Sequence, residues 1–216
     1  MALNGTNNAS ALDSPTLDLG TSGKSFTIEA WVYVDPSDVN PWPSSEKRNV
    51  AFKNQAYRLY VEFKRKVFAG TDDTSFSFYS SFWWTYTRTG LNWLGGWYHL
   101  AAVFDNNADS ISLYLDGFRL MNTSFNQDNY NSAATLFIGN GWKGRIDELR
   151  FSDTVRYSGP AYNIQTTPFT NDANTIALWH FDEPIGSTSF ADSSGNSNTL
   201  TGHGGAKTIS SNVDGR

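Results

Sequence analysis

The sequence predicts an all-β protein, an antiparallel two-sheet β-sandwich. Two observations predict it. Apolar residues recur at every second position in segment after segment, with almost no sustained helical period. Many such short segments are separated by turn residues, the pattern of a sandwich or barrel. A chain of 216 residues can bury enough apolar surface for one such core.

Phe26, Ile28, Ala30, Val32 and Val34 alternate with Thr27, Glu29, Trp31 and Tyr33, which predicts the first strand. Ala56 to Phe63 reads as the second. Phe76 to Arg88 is a long strand or a hairpin of unusual aromatic content. Trp97 to Phe104 follows, then a polar turn over Asp105 to Asp109. Ile111, Leu113 and Leu115 alternate up to Asp116-Gly117, a pair that favours a type I′ hairpin turn, and Phe118 to Asn122 is the return strand. Thr135 to Gly139, Gly144 to Phe151 and Thr175 to Phe181 are three more strands. Residues 152–174 carry Pro160 and Pro168 and little periodicity. They are expected to form a long connection across the sandwich, with room for one short helical turn. The tail from Asp192 onward is rich in Gly, Ser and Asn and is expected to add an edge strand at Ala206 to Ser210. The organisation is one domain over 1–216, with 175–210 completing the sandwich.

Composition removes several functions. With no cysteine there is no disulfide, thiol chemistry or cysteine-ligated zinc. Sixteen basic residues face 21 acidic ones, net charge −5, and the longest basic run is Lys64-Arg65-Lys66. A nucleic-acid groove would concentrate positive charge, so no nucleic-acid partner is expected. No apolar run approaches the roughly 20 residues that span a bilayer, so no membrane insertion is expected. Met1 to Asn4 has no basic stretch followed by an apolar one, so no signal peptide is expected in this segment.

Four segments carry a family resemblance. Phe26-Thr27-Ile28-Glu29-Ala30-Trp31-Val32 resembles the early signature strand of laminin-G-like jelly-roll domains, within the concanavalin A-like lectin/glucanase superfamily. Trp97-Tyr98-His99-Leu100-Ala101 is similar to their next strand, Leu113-Tyr114-Leu115-Asp116-Gly117 to their central hairpin, and Gly144-Arg145-Ile146-Asp147-Glu148-Leu149-Arg150-Phe151 to their late strand. All four stand in the family's order over roughly the first 151 residues. A fifth match, Trp179-His180-Phe181-Asp182-Glu183 with Asp192-Ser193-Ser194-Gly195-Asn196, comes first in many relatives and last here. Either that strand fills the same slot from the other end, or it begins a further repeat. The resemblance implies a glycan-binding or adhesion module of a phage particle or bacterial surface, extracellular or virion-borne, beside neighbouring domains, and in some relatives a structural calcium. Trp31, Trp97 and Trp179 lie in the family signatures and are read as core.

Catalysis is not expected. Retaining glycoside hydrolysis needs two carboxylates about 5 Å apart, which such enzymes obtain from acids at alternate positions of one strand. The glutamates are Glu29, Glu46, Glu62, Glu148 and Glu183, and none has an aspartate two residues on. Asp147 and Glu148 are adjacent, and a regular strand sends them to opposite faces. His99, His180 and His203 sit in no nucleophile motif.

The aromatic segment is the candidate binding site. Phe76, Phe78, Phe82, Trp84 and Tyr86 share one parity, Tyr79 and Trp83 the other, and rings on both exceed what one core face needs. Flat rings stack on the C–H faces of sugars, and Tyr and Trp add a polar handle. Trp83, Tyr79, Trp93 and Trp42, the last in Pro41-Trp42-Pro43, are the candidate carbohydrate-binding residues. For calcium, Asp192, Asn196 and Asn198 place oxygen side chains at alternate positions of a Gly-containing turn, with Asp147 and Asp182 as non-local ligands. Asp105-x-Asn107-x-Asp109 imitates a calcium loop, but Ser110 replaces the glycine and a strand follows, so it reads as a hairpin turn. The competing function is a structural spacer or decoration domain, and a less favoured one a glycoside hydrolase.

Overall fold

Fifteen strands appear among the described residues of the computed structural model, which are 1–38, 46–65, 72–80, 83–88, 95–125 and 131–209. They are β1 (Ala2–Asn4), β2 (Asn8–Ala11), β3 (Phe26–Val34), β4 (Glu46–Lys53), β5 (Tyr57–Arg65), β6 (Asp72–Ser80), β7 (Trp83–Arg88) and β8 (Trp97–Asp105). Then come β9 (Ser110–Leu115), β10 (Phe118–Ser124), β11 (Leu136–Ile138), β12 (Lys143–Ser152), β13 (Thr175–Trp179), β14 (Ser189–Phe190) and β15 (Leu200–His203). A seven-stranded sheet runs β1-β12-β3-β8-β9-β10, with β13 also on β12. An eight-stranded sheet runs β14-β15-β2-β11-β4-β5-β6-β7.

Alternation decides which side chains meet between the sheets. Phe26, Ile28, Ala30, Val32 and Val34 of β3 pack with Leu100, Ala102 and Phe104 of β8 and with Leu59, Val61 and Phe78 from the other sheet. The opposite parity of β3 and β8 points away from this core. Those outward residues, Glu29, Trp31 and His99 among them, are nevertheless buried. Their cover is the connector 153–174, which lies on the outer face of the seven-stranded sheet. It contains no helical turn. Tyr162 N donates to Gly117 O at 2.8 Å and Arg119 N to Pro160 O at 2.9 Å, so the β9–β10 hairpin anchors it. Trp31 is therefore buried outside the main core, against Phe169 and Leu178, with Trp97 packed beside it. Trp179 does enter the core between the sheets.

Three further expectations change. The aromatic segment is a hairpin, β6–β7, and its register pairs Tyr79 with Trp84 and Ser80 with Trp83. The turn resets parity, so grouping Trp84 with Phe78 does not survive; Phe78 pairs with Thr85. β12 carries a bulge between Asp147 and Arg150, with Glu148 left-handed at φ 49°. Simple alternation thus fails at the acidic pair. The edge strand expected at Ala206 to Ser210 forms earlier, as β15 anchored by buried Leu200, and Lys207 makes only a bridge to Ala2. Ser210 lies outside the described residues. β13 occupies the same edge of β12 as β1, and β14–β15 extend the other sheet past β2. The C-terminal segment thus adds strands to both layers.

Candidate functional site

Two outer faces could do chemistry, and they are built from similar side chains. On the connector-covered face, Arg150 stands opposite Glu29 in the β12–β3 register. Its Nε and Nη2 donate to Glu29 Oε1 at 2.9 and 2.7 Å. Tyr157 of the connector donates its hydroxyl to Glu29 Oε2 at 2.6 Å, and His99 Nε2 lies 3.2 Å from the same oxygen. Tyr162 Oη is 2.8 Å from His99 Nδ1, which suits a tautomer with the proton on Nε2. Burial pushes the Glu29 pKa up, but His99, Arg150 and Tyr157 outweigh it, and the net shift is downward. Burial and the Glu29 charge drive the Tyr157 hydroxyl far above the ordinary tyrosine range. This carboxylate is fully enclosed, and three hydrogen bonds, two from Arg150 and one from Tyr157, hold it as an anion with His99 beside it.

Glu148 is closed in the same way. Its Oε2 accepts from Phe169 N at 2.7 Å, and His180 Nδ1 lies 2.9 Å from Oε1. The left-handed bulge turns Glu148 toward the connector, where it fixes Phe169. That hydrogen bond raises the His180 pKa, against a smaller opposing effect of burial. Both acids are fully buried, and neither lines a cavity described among these residues.

The outer face of the eight-stranded sheet is different. Leu59 and Val61 of β5 point into the core, so Arg58 and Tyr60 point away from it. Register brings Tyr79 opposite Arg58, and Phe52 of β4 opposite Arg58 on the other side. These residues, with Lys47, Asn54 and Gln55, line a cavity of about 410 Å³. The Arg58 guanidinium lies 4.0 Å over the Phe52 ring, and the Lys47 ammonium 5.1 Å over Tyr60. Tyr60 is buried as the floor, while Phe52 and Tyr79 are half-buried. The Asn54 and Gln55 amides stand exposed at the β4–β5 turn, where Gln55 is left-handed at φ 64°. Arg58 Nε is buried and has no hydrogen-bond partner among the described residues. Rings, amides and two cations converge here, with no carboxylate among the described lining.

Of the expected binding residues, Tyr79 is in this cavity. Trp83 is in β7, paired with Ser80 through the backbone, and its side chain lies outside the described residues. Trp42 and Trp93 lie outside them altogether. Phe52, Arg58, Tyr60 and Lys47 were not singled out by sequence. Their one available signal is the outward parity of Arg58 and Tyr60 within the expected strand Ala56 to Phe63.

The calcium candidates separate into two places. Asp192 Oδ1 accepts from Leu178 N at 3.0 Å and Ser194 N at 2.9 Å, and Oδ2 from Asn198 N at 2.9 Å and Asn198 Nδ2 at 3.1 Å. Asn196 and Asn198 turn their amides to Ile176 O, and Asn198 Oδ1 accepts from Thr16. A hard cation needs oxygen lone pairs, whereas this carboxylate is surrounded by N–H groups. Asp147 and Asp182 lie instead near the Met1 amino group and His180. As placed, these residues do not fit a calcium ion; they form a self-closed turn. Among the described residues no three His, Asp or Glu gather as metal ligands. In the second loop, Asp105 Oδ1 accepts from Asn107 N and Ala108 N, an ordinary turn joining β8 to β9.

The sequence itself decides the lineage: residues 4–159 match the Concanavalin A-like lectin/glucanases superfamily. The chain belongs to that family. Among solved structures it is similar to a Bacteroides ovatus protein provisionally named as carbohydrate-binding, at 14% identity and a TM-score of 0.60. That alignment covers 97% of this chain and 63% of the other, so the chain spans less than two thirds of that protein. Domain 4 of an extracellular arabinanase from Geobacillus stearothermophilus, solved with arabinotriose, aligns at 22% identity and a TM-score of 0.48, over 71% of this chain and 70% of that one. No curated protein matches in sequence. No helix among the described residues is long and apolar enough to cross a membrane.

Proposed function

We propose that this member of the superfamily is a non-catalytic carbohydrate-binding or adhesion module, working outside a bacterial cell or on a phage particle. The carrying observation is the cavity on the eight-stranded sheet, where Tyr79 offers a ring and Asn54 and Gln55 offer amides beside it. A sugar needs that combination: a flat surface for its C–H face and fixed polar groups for its hydroxyls. The non-catalytic reading is supported by the acids. Glu29 and Glu148 are enclosed under the connector, and the described cavity lining supplies no pair of carboxylates. The name of the Bacteroides ovatus neighbour agrees, though that likeness is one of fold.

A glycan array followed by calorimetry tests the reading. The protein is expected to bind a subset of glycans, and Tyr79→Ala to weaken that binding by about 1 kcal/mol, roughly fivefold. Silence across the array, with reducing sugar released from none of a polysaccharide panel, would favour a spacer or decoration domain. Sugar release would revive the hydrolase. Calcium is tested in the same assay. Because Asp192 already holds four donors, chelator is expected to leave binding and Tm unchanged, and a Tm rise on adding calcium would place an ion.

A further inference from the structure

We infer that the ligand of this cavity is an acidic sugar, whose carboxylate or sulfate docks on Arg58 and Lys47 while its ring meets Tyr79. The inference rests on the glycan-binding reading above and adds the ligand's chemical class.

The cavity holds two cations, Lys47 and Arg58, and no acid among its described lining, in a chain whose net charge is −5. Neither cation forms an ion pair with any described residue. Local positive charge is thus kept where the rest of the molecule is acidic, which selects and steers an anionic ligand.

Phe52 covers one face of Arg58 at 4.0 Å, which fixes the plane and leaves the donor-bearing edge to be filled. Nε on that edge is buried without an acceptor among the described residues. Burial lowers the Arg58 pKa from the usual arginine value, with Tyr60 and Tyr79 opposing, as for a cation short of counter-charge.

Arg150 is stacked in the same manner, 4.3 Å over Phe169, and its edge is completed by a carboxylate through Nε and Nη2. Arg58 reproduces the stacked arginine without the acid. A carboxylate or sulfate brought by the ligand would take the position that Glu29 takes at Arg150, two of its oxygens meeting the side-on fork that arginine favours. Lys47, held over Tyr60, supplies a second charge at the same mouth.

The test is calorimetric titration of the whole chain with a panel of neutral, uronic and sulfated oligosaccharides of matched length. Acidic members are expected to bind at least about tenfold more tightly than their neutral counterparts, with an advantage that shrinks as salt rises. The uronic and sulfated arms identify which anion is preferred. Arg58→Met is expected to weaken acidic members at least about fivefold more than neutral ones, so that the acidic preference is lost, and Arg58→Lys to keep part of it. Tm of each variant reports folding, and the salt dependence of the unmodified protein is a readout that needs no variant. Equal binding of neutral and acidic sugars, with Arg58→Met inert and Tyr79→Ala weakening, would overturn the acidic class and leave the glycan site standing. Absence of binding to every member would overturn the glycan reading, and this inference with it.

Discussion

The two outer faces of the sandwich hold the same unit, an arginine stacked on a phenylalanine among tyrosines, with opposite outcomes. Arg150 on Phe169 is roofed by the connector and neutralised by Glu29. Arg58 on Phe52 has no roof formed by the connector and, among the described residues, no paired acid. A side-chain inventory does not separate structure from recognition. What separates them is whether the donors have found their acceptors inside the chain. The sealed face uses its network to hold 22 residues of irregular backbone in place, whereas the other keeps one unmet donor, Arg58 Nε, beside a cavity.

The contrast is most exposed to attack at Glu29. Glu29→Gln leaves Arg150 buried without its acid, and urea unfolding is expected to show a loss of about 3–5 kcal/mol. A loss below about 1 kcal/mol would mean that this face is not sealed. Next is the hairpin that anchors the connector. Gly117 has φ +79°, and an added Cβ would lie 2.3 Å from Tyr162 O, so Gly117→Ala is expected to cost roughly 1–3 kcal/mol in the same assay.

His180 gives a pH signature. Its folded pKa is raised, chiefly by the hydrogen bond to Glu148, above the unfolded value near 6.5. The resulting stability is complete below that value and disappears as pH rises through the folded pKa. The Tm deficit of His180→Gln is therefore expected to be larger at about pH 5.5 than at about pH 9. An equal deficit at both would remove the ion pair from the account. The smallest effect belongs to the open face. Arg58→Met is expected to change stability by no more than about 0.5 kcal/mol, since no acid among the described residues pairs with it. A large loss there would make Arg58 structural and erase the distinction.

Much of the frame was legible. β3, β8 and β9 announce themselves because one parity is apolar and the signature segments stand in order. β4 does not, because Lys47, Arg48 and Asn49 break the pattern and Lys53 is buried, paired with Asp13 and Asp18. The sealed network was hidden for another reason. Glu29 and Arg150 occupy outward positions that look solvent-facing until the connector covers them, and a bulge misdirects the parity of Asp147 and Glu148. At the candidate site, Tyr79 was reachable as part of an aromatic surplus. Arg58 was not, because lacking an acceptor is a property of three-dimensional neighbours.

β12 borders β1 and β13 along one edge and β3 along the other. During synthesis, β3 must therefore wait more than a hundred residues for that neighbour, with a hydrogen-bonding edge and apolar side chains unclaimed meanwhile. Pairings so distant in the chain close slowly. Folding of this domain is thus expected to be set by the arrival of Lys143–Ser152, and a nascent chain stalled before it to be prone to self-association.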